Sequence, residues 1–323
     1  MEVMTDRKAL IDKLKQGNAP ALARAITLLE EGELDIPSVD QYIGATGKAV
    51  RIGVTGPPGA GKSSLIDWLI KHIRNSGEMA GVLATDPSSP FTGGAILGDR
   101  IRMQHHFLDD KVFIRSLGSR GAQGGISRIT RDAAHLMQAA GYRFIILETV
   151  GVGQTELDIM NIADTVLVVL VPESGDFIQA MKAGLMEIAD IFVVNKSDRE
   201  GSKQLVNALK LLAETSQPGH DAWEIPIMLT NGLDGSGTSE LFQTIQKHIE
   251  FMESHKETAL FLRKRLHGLK QLIVEQLSVR INSAVNAEVP EHYKKELSDP
   301  SISLYSIFNR IMHDRDFTAQ ILK

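Results

Sequence analysis

At 323 residues the chain exceeds one minimal domain and is long enough to bury a sizeable core. A net charge of −5 argues against a generic nucleic-acid binder, and the lack of any Cys excludes disulfides, thiolate metal sites and Cys nucleophiles. The first residues show no apolar signal core, and the most apolar run, residues 165–171, is too short for a bilayer, so no membrane contact and a cytoplasmic setting are expected.

Residues 1 to about 48 carry helical spacing, with Leu10, Ile11 and Leu14, then Ala21, Leu22, Ala25, Ile26 and Leu29. This predicts an N-terminal helical extension over 1–48, with Pro37-Ser38 breaking the pattern. Residues 50 to about 250 alternate short Val- and Ile-rich runs with helical patterns. Strands are expected at 50–55, 81–86, 111–115, 143–149, 165–171, 190–195 and 225–230. Helices are expected at 64–76, 127–140, 177–187, 202–216 and 238–250. Strands this continuously apolar are covered on both faces, so the expected fold class is α/β, a doubly wound, mostly parallel sheet over residues 49–252. Residues 253–323 read as a C-terminal helical arm. Its stripe of Leu262, Leu266, Leu269, Ile273 and Leu277 needs a surface, on its own domain or on a second chain.

Ligands of such sheets sit beyond the carboxyl ends of the strands. Gly56-Pro57-Pro58-Gly59-Ala60-Gly61-Lys62-Ser63 lies there and fits G-x-x-x-x-G-K-[ST] between a strand and a helix. The glycines let the backbone wrap a phosphate, successive N–H groups point at it, and the helix N-terminus adds its positive end. Lys62 is expected to reach the β- and γ-phosphates and Ser63, followed by Ser64, to hold Mg²⁺. Asn195-Lys196-Ser197-Asp198 fits N-K-x-D after a buried strand. A carboxylate at Asp198 can accept from both N1–H and N2–H₂ of guanine, a donor pair adenine lacks. Asn195 can meet the base or the loop backbone, and the Lys196 stem can lie against the ring.

Glu148-Thr149-Val150-Gly151 occupies the place of D-x-x-G, whose acid helps hold Mg²⁺ and whose glycine senses the γ-phosphate. Val152 stands where Ras-like proteins carry a water-orienting Gln, with Gln154 two residues on, so slow intrinsic hydrolysis is expected. Asp86 ends a strand, and a Pro/Gly-rich loop leads from it to Asp99. With Glu148 these make three carboxylates that could serve one Mg²⁺. His105 and His106 are adjacent, hence divergent on a helix, and a shared metal is not expected. Gly118 to Gly125 reads as a flexible loop before a helix, and the arginines near it as mostly solvated.

Together GPPGAGKSS, DPSSPFTGGAILGDRIRM, GSRGAQGGIS, ETVGVGQ, VPESGD and NKSD resemble the MeaB/MMAA/ArgK family of P-loop GTPases. The resemblance covers most of the chain, helical ends included. It implies a GTP-hydrolysing chaperone that gates loading and protection of adenosylcobalamin in methylmalonyl-CoA mutase or a related acyl-CoA mutase, with an adenosyltransferase as a further partner. It implies GTP/GDP and Mg²⁺ as ligands and a homodimer joined through the C-terminal arm. By motif match Lys62, Glu148 and Asp99 take catalytic roles, and Ser63, Asp86, Asp99 and Glu148 the metal. Gly56 to Ser64, Gly151, Asn195, Lys196 and Asp198 hold nucleotide, and Lys182 and Gln154 act as switches. The family's late base-contacting loop is usually T-S-A or S-A-x. Here it is Thr230-Asn231-Gly232, whose backbone N–H could still meet guanine O6. A metal-delivery GTPase of the same superfamily ranks below this, for want of Cys or a larger His cluster. A transport-associated ATPase or kinase ranks lower too, since Asp198 argues against ATP.

Overall fold

The structure, a computed structural model, describes residues 2–44, 46–86, 103, 105–118, 128–149, 159–174, 188–215, 223–255, 259–287 and 289–314. The chain divides into two compact units, Met1–His255 and Lys256–Lys323.

Among the described residues the first unit holds a seven-stranded parallel sheet. Its strands are β1 (Val50–Thr55), β2 (Ala80–Asp86), β3 (Val112–Gly118), β4 (Phe144–Glu148), β5 (Thr165–Leu170), β6 (Ile191–Val194) and β7 (Ile227–Leu229). Their order is β3-β2-β4-β1-β5-β6-β7, so the expected doubly wound α/β fold is present and β1 lies at its centre. The apolar runs are continuous because both faces are covered. In β4, Phe144 and Ile146 enter one core while Ile145 and Leu147 enter another. The strand expected to end at 115 runs on to Gly118, because β2 pairs with it throughout, from Ala80 opposite Val112 to Asp86 opposite Gly118. Arg115 and Ser116 are polar but still sit in the ladder.

Helices α4 (Lys62–Asn75) and α7 (Thr238–Ser254) cover one face of the sheet, through Leu65, Ile66, Leu69 and Ile70 against Leu241 and Ile245. On the other face, α5 (Arg128–Ala139) shares a core with the N-terminal helices α1 (Glu2–Lys15), α2 (Ala19–Glu31) and α3 (Ile36–Ile43). Helix α6 (Ser202–Thr215) closes a third core against β5 and β6. Pro37-Ser38, read as a breaker, lies instead in the first turn of α3. Pro37 tolerates that place because it lacks an N–H the turn would leave unpaired, and Asp35 Oδ1 accepts from Ser38 N at 3.0 Å to cap it.

In the second unit, α8 (Ala259–Ala287) precedes α9 (Glu291–Leu297) and α10 (Leu304–His313). Val289, Tyr293 and Ile307 form a small core there. Along α8, Leu262, Leu266, Leu269 and Ile273 are exposed, as are Leu272, Val274, Val279 and Ile281, so its apolar surface is wider than one stripe. Among the described residues no helix is long and apolar enough to cross a membrane.

Candidate functional site

β1 runs straight into the loop at residues 56–61, and α4 starts at Lys62. Two of the loop's glycines are forced by what lies behind them. Gly56 has φ +142°, and a Cβ there would stand 2.0 Å from the Val169 carbonyl oxygen on β5. Gly61 has φ +84°, and a Cβ would stand 2.3 Å from Asn195 Nδ2. As the N-cap of α4, Gly61 brings no side-chain acceptor to the first-turn amides, which favours an anion there. Lys62 is buried, and its ammonium donates to Gly56 O at 2.8 Å and Pro57 O at 3.3 Å, arching over the loop.

Ser63 Oγ donates to Glu148 Oε1 at 3.0 Å, and both residues are buried. The register explains the meeting: Glu148 ends β4 between Val54 of β1 and Ala84 of β2. Asp86 closes β2 two residues further on, at the same end of the sheet. A hydroxyl and a carboxylate are hard oxygen donors of the kind Mg²⁺ takes, so the pair fits that ion. The side chain of Asp86 lies outside the described residues, as do Asp99, Gly151, Val152, Gln154 and Lys182.

At the other side of the loop, Asn195 follows β6 and is almost fully buried. Its Nδ2 donates to Ala60 O at 2.8 Å, and its Oδ1 accepts from Gly232 N at 3.0 Å and Thr230 Oγ1 at 3.2 Å. Of the two readings open for Asn195, the structure shows loop backbone: one amide ties the phosphate loop to the loop at 230–232. Lys196 Nζ donates to Gly59 O at 2.7 Å, and Lys196 has φ +55°, the one positive value on a non-glycine among the described residues. Asp198 is exposed.

The N–H groups of Thr230-Asn231-Gly232, expected to face guanine O6, all have internal acceptors here. Thr230 N donates to Val194 O, Asn231 N to Ser236 O at 2.9 Å, and Gly232 N to Asn195 Oδ1. The loop closes on the end of β6 and on itself. Asn231 Oδ1 also accepts from Leu233 N at 3.0 Å, and the Ser236 N–H holds the Asp234 carboxyl below its usual range. Trp68 escaped the sequence reading: its Nε1 donates to Gly232 O at 3.2 Å, and a Cβ on Gly235 would strike its ring at 2.6 Å. The signal was the run Gly232-Leu233-Asp234-Gly235-Ser236-Gly237.

The model of the family described as methylmalonyl Co-A mutase-associated GTPase MeaB matches residues 22–286. A relative from Pyrococcus horikoshii with a provisional GTPase name is 46% identical over 281 residues, 86% of this chain and 89% of that one. The GTPase ArgK of Escherichia coli is 35% identical over 273 residues, 81% of this chain and 79% of that one. The methylmalonic aciduria type A homolog, mitochondrial, of Mus musculus is 34% identical over 268 residues, 76% of this chain and 64% of that one. Among solved structures, that of an LAO/AO transport system kinase has a TM-score of 0.68 at 25% identity, covering 98% of this chain and 96% of that one.

Proposed function

This chain belongs to the MeaB family of methylmalonyl Co-A mutase-associated GTPases, and from that membership we propose that it gates loading and protection of adenosylcobalamin in methylmalonyl-CoA mutase or a related acyl-CoA mutase. It is a GTPase that binds GTP and GDP. The observation that carries the mutase reading is the family match over residues 22–286; the mouse relative's name points the same way.

In this reading Lys62 leaves the Gly56 and Pro57 carbonyls for the β- and γ-phosphates, and Asp198 reads the guanine edge. Asn195 ties the phosphate loop to the loop at 230–232. Ser63 and Glu148, with Asp86 and Asp99, hold Mg²⁺, which when bound neutralises charge on the phosphates. Gly151, Gln154 and Lys182 respond to the γ-phosphate and to the mutase. Hydrolysis is slow until the partner docks, and the working form is a homodimer joined through residues 253–323. An adenosyltransferase upstream would supply the cofactor.

The test is phosphate release by the purified chain with and without methylmalonyl-CoA mutase, together with co-elution of the two. The chain alone should turn over well below ~1 s⁻¹, and mutase should speed it. Binding must be reciprocal: if mutase tightens GTP, GTP tightens mutase by the same factor. Lys182→Ala should leave the basal rate and blunt the stimulated one. No stimulation and no nucleotide-dependent complex would leave a GTPase of this family with some other partner.

A further inference from the structure

Away from the phosphate loop, Asp67 in the second turn of α4 gathers two neighbouring histidines. His105 Nε2 lies 2.5 Å and His106 Nε2 2.9 Å from the same oxygen, Asp67 Oδ1. The two rings are tilted at 47° with centroids 4.5 Å apart. The expectation that adjacent histidines diverge fails because they sit in a 3₁₀ turn rather than an α-helix, and α4 brings an acceptor between them. Among the described residues this is the one group of three such side chains whose donor atoms all lie within 4.8 Å of one another. Asp67 and His106 are buried, while His105 is half exposed and leaves the cluster a side open to water.

We propose that Asp67, His105 and His106 form a binding site for a divalent transition metal of the zinc class, held by two imidazole Nε2 atoms and one carboxylate oxygen. Two nitrogens and one oxygen suit zinc, cobalt or nickel and not magnesium or calcium. Three protein ligands leave the fourth tetrahedral position for water, on the exposed side of His105. Bonds of ~2.0–2.1 Å set ligand atoms ~3.3 Å apart, so each imidazole need retreat by less than ~1 Å. Coordination replaces the hydrogen at each Nε2, so uptake releases protons or shifts the tautomer to Nδ1–H. Two cations stand nearby. Lys71 Nζ holds the other oxygen, Asp67 Oδ2, at 2.8 Å, which leaves Oδ1 for the metal but opposes its charge. Lys71 also lies 4.2 Å above the Trp68 ring, an alternative seat. Arg74 is engaged by Asp109 at 2.8 Å. A bound ion would pin the His105–His106 turn to the helix that begins at Lys62.

The full chain, with excess Mg²⁺ and GDP to fill the nucleotide site, is titrated with Co²⁺ by visible absorption and with Zn²⁺ against a chelating dye. One equivalent per chain should bind, with the d–d bands of a four- or five-coordinate ion. His105→Ala, at an exposed position, should weaken binding by more than the ~10–100-fold that loss of a mere outer partner costs, with GDP binding unchanged. Lys71→Met should tighten it. No uptake at tens of micromolar metal would overturn the proposal. So would uptake that survives both His105→Ala and Asp67→Asn, since the ion would then lie elsewhere. Metal uptake is read without the mutase, so this outcome is separate from that of the mutase experiment.

Discussion

The amide of Asn195 donates to Ala60 and accepts from Thr230 and Gly232, while Asp198, three residues on, is exposed. The two belong to one tetrapeptide, but they should fail in different ways. Asn195→Ala strands the buried Ala60 carbonyl and the partly buried Gly232 N–H, at a cost of about 1–3 kcal/mol. For a domain of this size that is a fall of roughly 2–10 °C in Tm, read by calorimetry, with weakened GTP binding alongside. An unchanged Tm would show the three bonds to be dispensable. Asp198→Asn should leave Tm nearly unmoved and weaken GTP about ten- to a hundredfold, while xanthosine triphosphate gains. Competition of the two nucleotides on each variant checks this, and equal affinity of the wild type for ATP and GTP would sink the base assignment.

At the scale of elements, the N-terminal segment is fastened to α5 and the sheet by partly buried polar contacts. Arg115 of β3 pairs with Glu30 of α2, and Gln138 of α5 donates to Thr46 Oγ1 at 2.8 Å. His135 of α5 faces Asp40 of α3, Nε2 to Oδ1 3.4 Å. Burial, and then Arg51, hold the His135 pKa below its usual value, although Asp40 pulls the other way. The unfolded chain takes up this proton below pH ~6.5 and the folded chain does not. The stability it contributes is therefore present above pH ~6.5 and lost as pH falls toward the folded value. Denaturant unfolding from pH 7.5 to 5.5 should show stability falling, and His135→Gln should flatten part of the slope. A variant with the wild-type slope would remove His135 from the account. These fastenings were invisible in sequence, where residues 1–48 showed only helical spacing. The strands were legible because runs such as Thr165–Leu170 are apolar on both faces. The phosphate loop was legible because its spacing is local. Which of its two possible partners Asn195 takes was not, since that depends on Ala60 and Gly232 arriving from distant strand ends. The histidine pair was misread because a helical rule was applied to a 3₁₀ turn.

For the whole molecule, the exposed apolar residues of α8 bear on the proposed homodimer. Leu262, Leu266, Leu269 and Ile273 are each more than half exposed, and exposed apolar surface of this kind marks an interface. The joint change Leu269→Glu and Ile273→Glu should turn a dimer into a monomer by light scattering, with GTP binding kept. A wild type that is monomeric at tens of micromolar, or a variant that stays dimeric, would place the contact elsewhere.

The sheet order has a consequence for synthesis. β1 finds no neighbour in its own vicinity: Val50 pairs with Phe144 and Ile52 with Thr165. At ribosomal rates of 5–20 residues per second, the strand that carries the phosphate loop waits about 5–20 s for its first partner. Through that interval the nascent chain displays an unpaired apolar edge, the surface on which chains aggregate and which chaperones bind.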